Sequence, residues 1–474
     1  MSRLALATAG VAVVVSAGAV VVAAGTPAQL VQPVRHPTVL ATSSATLVCP
    51  GLAAGRSTGG QSVFAVAPAS SSGRSARRGG VATVASLSAR SGKPSGRLDQ
   101  RGVSLTSPVT GADPTVVAGD GPIAAGLTAV QWAKPHDQTL AGTAVAACGQ
   151  PGDDWWFGGV DTAVGATSRL ILSNPTPAIA VVDLVVYGPH GQISPVGGRG
   201  IALAPDSSQV LDLARFAPGL DALTLNVHAS QGRVVAAVRT DLKVGPQPTG
   251  TEWIPAGVAP ADDILVDAAL AGQSQRVAIT NPGSREALVQ VHVIDSTGQF
   301  VPTGLTDLTI PPGAVLVRDL GPVTDADAAA IRLTSTVPVT AATVTAVTRP
   351  VDDVAISGSF PALGDPAVVP VIPGTELSLL FASAGRSEAT VTINSFDDSG
   401  RSLSDEELHA PGSTLTTWRL PRSKAAAYVV VTVTVGEGLH AVASYEGDAG
   451  LAALPVVPGT FTVRRPAVFP ASTN

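Results

Sequence analysis

Ser168–Gln192 reads SRLILSNPTPAIAVVDLVVYGPHGQ, and the chain repeats this pattern twice more. Gln275–Gln299 reads QRVAITNPGSREALVQVHVIDSTGQ, and Leu377–Arg401 reads LSLLFASAGRSEATVTINSFDDSGR. In each copy the interval from a loop residue to a turn glycine is 17 residues: Asn174 to Gly191, Asn281 to Gly298, Ser383 to Gly400. Asn281 follows Asn174 by 107 residues, and Ser383 follows Asn281 by 102. A fixed period of this kind marks a repeat architecture. Each copy continues with a proline-led turn (Pro205, Pro312, Pro411), a short strand and a β-rich pair.

The segments are short, rich in Val, Ile, Leu and Thr, and interrupted by Gly, Pro, Asn and Asp, which is how strands read. Leu223-Thr-Leu-Asn-Val-His and Val431-Thr-Val-Thr-Val alternate, as in a sheet packed on one face. About seven strands per ~100 residues predicts an all-β chain of tandem immunoglobulin- or fibronectin-like β-sandwich repeats. A propeller blade needs only about 40–50 residues, so it fits the period less well. Each turn glycine is expected at the far end of a strand, in a turn of positive φ.

Working outward gives repeats at 152–258, 259–365 and 366–465, with a tail at 466–474. Residues 40–151 read as a divergent N-terminal β domain with flexible loops, and 26–39 as a linker. Each repeat is expected to bury its own core, so that the domains form a row and residues 259–365 fold alone.

Leu4–Ala24 carries no charge and follows Arg3. As a helix its 21 residues span about 31 Å, enough to cross a bilayer core. The charge bias places residues after 25 outside the cytoplasmic membrane. Residues 1–25 are therefore one N-terminal transmembrane helix, a single-pass signal anchor; a cleaved signal peptide, giving a secreted protein, is the alternative. Cys49 and Cys148, an even pair in an exported chain, are expected to form a disulfide.

The 474 residues carry a net charge of −6, with 45% hydrophobic and 14% charged residues. The mild acidity argues against nucleic acid, which needs clustered Lys and Arg. No catalytic or metal motif stands in its required context. Gly55-Arg-Ser57-Thr-Gly59 matches G-x-S-x-G but lacks the strand–turn–helix setting. The seven His (36, 136, 190, 228, 292, 409, 440) are scattered. No catalytic residue, metal or cofactor is assigned, and the reading is of a protein that is not an enzyme. Four acidic pairs, at 153–154, 262–263, 352–353 and 397–398, read as turns, with interdomain calcium as the rival. Trp155 and Trp156 are candidate binding residues, a stacking platform for sugar or a partner anchor. The competing reading puts them on opposite strand faces in internal packing. Trp253, with Phe360 107 residues on, reads as core.

The run Cys148-Gly-Gln-Pro-Gly-Asp-Asp-Trp-Trp-Phe-Gly-Gly159, followed by Arg169-Leu-Ile-Leu-Ser-Asn-Pro175, resembles the DUF5719 family. The resemblance implies an exported or membrane-anchored actinobacterial protein and carries over no catalytic residue. The combined expectation is a membrane-anchored envelope scaffold or interaction module, with a binding module for envelope polysaccharide or glycan as the alternative. Its partners are the cytoplasmic membrane, through the N-terminal helix, and an envelope protein or glycan. A hydrolase or transferase site between domains is a weaker third reading.

Overall fold

The structure, a computed structural model, describes residues 38–51, 61–69, 78–109, 111–134, 140–272, 274–324, 327–348, 351–422 and 425–465. The anchor at 1–25, most of the 26–39 linker, the Gly55–Gly59 pattern, His36, His136 and the tail at 466–474 lie outside the described residues. The last linker residues differ from expectation: β1 (Thr38–Ala41) is a strand paired with β35 (Thr462–Arg465). Among the described residues no helix is long and apolar enough to cross a membrane.

Between these strands the chain is all-β and uses one strand order four times. The first segment holds β2 (Ser44–Cys49), β3 (Gln61–Val66), β4 (Arg78–Ser86), β5 (Gly96–Gln100), β6 (Ser104–Pro108), β7 (Thr115–Asp120), β8 (Thr128–Ala133) and β9 (Ala144–Ala147). They form two antiparallel sheets, β2-β7-β4-β5 and β6-β3-β8-β9.

The second segment holds β10 (Asp154–Val160), β11 (Ala166–Asn174), β12 (Ala180–Gly188), β13 (Gly191–Ile193), β14 (Ile201–Leu203), β15 (Ser207–Asp212), β16 (Leu223–Gln231), β17 (Val235–Val244) and β18 (Gln247–Ile254). Its sheets are β10-β16-β12-β13, with β14 also on β12, and β15-β11-β17-β18.

The third segment holds β19 (Ala261–Ala269), β20 (Ser274–Thr280), β21 (Ala287–Ile294), β22 (Gln299–Phe300), β23 (Leu308–Ile310), β24 (Val315–Asp319), β25 (Ala329–Val347) and β26 (Asp353–Gly358). Here the sixth and seventh strands are continuous: one half of β25 pairs with β19 and β21, the other with β20 and β26.

The fourth segment holds β27 (Ala367–Pro370), β28 (Glu376–Ser383), β29 (Ala389–Phe396), β30 (Ser402–Ala410), β31 (Leu415–Arg419), β32 (Tyr428–Val435), β33 (Leu439–Gly447) and β34 (Gly450–Pro455), in sheets β27-β32-β29-β30 and β31-β28-β33-β34.

The 17-residue interval holds a loop and one whole strand, which starts six residues after the loop residue in each copy, at Ala180, Ala287 and Ala389. Asn174 and Asn281 are buried at the end of their strands. The Asn174 amide donates to the carbonyls of Ala178 (2.7 Å), Leu203 (3.2 Å) and Ala204 (3.1 Å). Asn281 repeats the set with Arg285 (2.7 Å), Ile310 (3.0 Å) and Pro311 (3.3 Å). The two N–H groups of one side chain are thus shared among three carbonyls and tie a loop to a distant turn. Gly191, Gly298 and Gly400 all have positive φ (123°, 149°, 80°), as their turns require.

The segments do not stand in a row of separate cores. Val48, Leu87 and Val116 of the first meet Val235 of the second. Tyr187 meets Ala278 and Val315 of the third. Leu265, Leu270, Ile294 and Ala330 meet Leu380, Ala382 and Val442 of the fourth. Phe64 and Val66 of the first meet Val368 and Tyr428 of the fourth, and the Tyr428 hydroxyl donates to the Gly102 carbonyl at 2.5 Å. The fourth contact closes the cycle and corrects the expected row. Its cause is strands that are apolar on both faces. In β3, Val63 and Ala65 enter the segment's own core while Phe64 and Val66 face its neighbour. In β28, Leu379 and Phe381 turn inward while Leu380 and Ala382 turn outward.

Candidate functional site

The last strands of the four segments meet one another: β9 lies against β18 and β34, and β26 against the same two. They enclose an axis. Gly142, Gly250 and Gly450 of three segments stand at one level of this axis, with Asp353 of the third segment among them. The Asp353 carboxylate fills the space that the three glycines leave, since a Cβ on Gly450 would lie 1.9 Å from its Oδ2 and one on Gly142 2.4 Å from its Oδ1. Backbone N–H groups of Thr143, Val354 and Leu451 each donate to it at 2.9 Å, and Thr251 adds a fourth. Each N–H comes from a different segment. Asp353, only 2% exposed, therefore holds all four together.

Two residues further along, the same strands carry Ala144, Glu252, Ala355 and Ala452, again one carboxyl among three small residues. Glu252 is fully buried. The Trp253 N–H donates to its Oε1 at 2.9 Å, and the backbone N–H groups of Val145 and Ala453 also favour its charged form. Burial dominates at both acids. It pushes Asp353 up to about 8 against the four donors that favour the carboxylate. Burial, with Asp353 nearby, pushes Glu252 well above the usual carboxylate range.

A pH dependence follows. Both acids bind protons more tightly folded than unfolded, so their stabilisation is complete below the ordinary carboxylate range and is lost as pH rises through about 8. The denaturation midpoint should fall between pH 5 and pH 9, by on the order of a few kcal/mol of stability. Asp353→Asn should flatten the curve; an unchanged slope in that variant would show that the acid does not titrate in this range.

At the C-terminal ends of the same strands lies a cavity of about 380 Å³. Its walls come from all four segments, among them Val145, Trp155, Trp253, Phe360 and Leu454. The lining is apolar apart from backbone and a few uncharged polar side chains, including Gln150 and Thr460. Gln150 Nε2 donates to Thr460 Oγ1 at 2.9 Å, joining the first segment to the end of the fourth at the rim. Trp253 is 2% exposed, and its Nε1–H has no acceptor.

The residues singled out by sequence are dispersed around this axis. Cys49 and Cys148 are bonded, and Cys148 lines the cavity. The bond ties β2 to the end of β9, bridging the two sheets of the first segment. Trp155 packs on Val48, Leu87 and Val116 of the first segment. Trp156 stacks on Tyr187 with centroids 5.8 Å apart, packs toward Ala278 and Val315, and donates Nε1–H to Asp154 at 2.8 Å. The two indoles thus serve contacts between segments, on opposite faces of β10.

The acidic pairs part company. Asp397 caps a turn, accepting from the backbone N–H groups of Ser399 (3.1 Å) and Arg401 (2.9 Å). Asp263 pairs with Arg332 at 2.9 and 2.6 Å, and that hydrogen bond holds its carboxyl below the usual range. Asp353, read as a turn residue, is instead the closure of the axis. His292 lies beside Arg332, and burial, with that guanidinium, lowers its pKa. His409 meets Glu388 at 3.2 Å and Glu407 at 3.4 Å, far along the chain from His292. Sequence reading missed Glu252 and the role of Asp353. The available signal was an acid standing where the other copies have Gly or Ala.

Two solved structures align weakly. A biofilm-associated protein BSP domain has 8% identity over 88% of this chain and 97% of its own, with a TM-score of 0.13. The Streptomyces avermitilis alpha-L-rhamnosidase complexed with L-rhamnose has 11% identity over 88% of this chain and 57% of its own, with a TM-score of 0.12. Similarity at this level carries no argument about fold or activity. No curated protein matches the chain. The model of a family of unknown function, DUF5719, matches residues 103–421, more than half of the sequence, and the chain belongs to that family.

Proposed function

We propose that the chain is a non-enzymatic extracytoplasmic envelope protein, an interaction module or scaffold whose β-sandwich repeats, of immunoglobulin or fibronectin type, gather around one binding cavity. The N-terminal segment Leu4–Ala24 anchors it in the cytoplasmic membrane with the repeats outside. The observation that carries this reading is the axial cavity. All four segments build its walls, and its lining offers a ligand apolar surface and uncharged hydrogen-bonding groups. Such a lining suits binding; acid–base chemistry calls for titratable groups within reach of the ligand. The glycan alternative rested on Trp155 and Trp156, whose rings are engaged in contacts between segments.

A reporter fused after Asn474 should be active only outside the membrane and should sediment with it. A photo-crosslinker at Gln150, on the rim, should give a discrete product in cells, while one at Val196, 98% exposed on a loop of the second segment, should not. Cytoplasmic reporter activity would sink the location. A mature N-terminus near Val20 or Gly25 would make the protein secreted. Equal labelling from both positions would sink the rim as the interaction site.

A further inference from the structure

We propose that the axial cavity binds the alkyl chain of a single-chain amphiphile, a free fatty acid or one acyl chain of a lipid, with the polar head at the Gln150–Thr460 rim. The inference rests on the cavity being a binding site and names the chemistry of its ligand.

Size is the first ground. The cavity of about 380 Å³ falls within the roughly 300–1,000 Å³ of small-molecule sites. Lining is the second. Val145, Phe360, Leu454 and the Trp253 ring present hydrocarbon, which an alkyl chain matches along its whole length. A sugar would leave most of its hydroxyls without partners in such a wall, at a desolvation cost an alkyl chain does not incur.

The third ground is permanence. The walls are fixed by the Cys49–Cys148 bond on one side and by the closure at Asp353 further along the same strands. Four segments locked in this way cannot collapse inward to fill the space. The lining atoms therefore lack contact partners that a hydrocarbon chain would supply. The fourth ground is polarity at the entrance. Ala147 and Val457 (40% exposed) are open to solvent beside Gln150 and Thr460, so the cavity has an apolar depth and a polar mouth.

The test is calorimetric titration of the purified full chain with dodecanoate held below its aggregation threshold. Two variants accompany it: Val457→Glu, which charges the mouth, and Ala256→Trp, which fills the lumen from a half-buried position. One dodecanoate should bind per chain. Each variant should weaken binding at least tenfold while keeping the parent denaturation midpoint. Phosphatidylglycerol vesicles separate the two sources: competition with dodecanoate identifies a lipid acyl chain, and its absence a free acid. Absence of saturable dodecanoate binding, or binding unchanged in both variants, overturns the proposal. If it fails while the Gln150 crosslink and the external reporter persist, the envelope reading stands and only the alkyl ligand is lost.

Discussion

Gly450→Ala should lower the stability of the chain by about 4 kcal/mol or more, at the severe end for a single substitution. Two effects add. Gly450 has φ +132°, which L side chains rarely adopt, and its added Cβ would lie 1.9 Å from Asp353 Oδ2. The carboxylate cannot retreat without giving up the N–H groups of Thr143, Val354 and Leu451, each 2.9 Å away. Buried donors left unpaired cost about 1–3 kcal/mol each. The double variant Gly450→Ala, Asp353→Gly removes the collision and leaves only the backbone strain and the open donors. Urea denaturation of the parent, both single variants and the double should therefore reveal strong coupling. Simple additivity would mean that the two residues do not meet at the axis.

The second large effect concerns residues 259–365 alone. The sequence predicts an independent domain, because the period is regular and each copy has strands enough for its own core. The structure leads to a different expectation. In isolation the fragment would expose Leu265, Leu270 and Ile294 on one side and Ala278 and Val315 on another. Val354 and Ile356, which complete the core of the second segment, would also face water. Patches of this kind drive association. The fragment should elute as a self-associated or largely unfolded species, while the full chain unfolds in one transition. A monomeric fragment with a sharp, reversible transition would restore the independent-domain reading and weaken the case for a shared axis.

Local features were legible in the residues. Asn174, Asn281 and their glycines were found by spacing alone, because the loop and the strand that separate them have the same length in each copy. The all-β class followed from strand-length apolar runs and turn residues. The family was visible in the Cys148–Gly159 run. The pairing of Cys49 with Cys148 followed from there being two cysteines in a chain read as exported.

The axis was not legible, for a physical reason. Phe64 and Leu380 sit in continuous apolar runs, and a run cannot tell whether its second face meets a neighbouring segment or none. Trp155 and Trp156 look like a surface platform until Val48 and Tyr187 are placed against them. Asp353 is an ordinary turn acid in a sequence. Its role arises only because Thr143, Thr251 and Leu451, from 98 to 210 residues away, bring their N–H groups to one point. The strands, their turns and the period are written in the residues, since these depend on neighbours within a few positions. The closed cycle, the paired axial acids and the cavity were decided by tertiary structure, since they depend on which apolar faces find one another when four copies fold together.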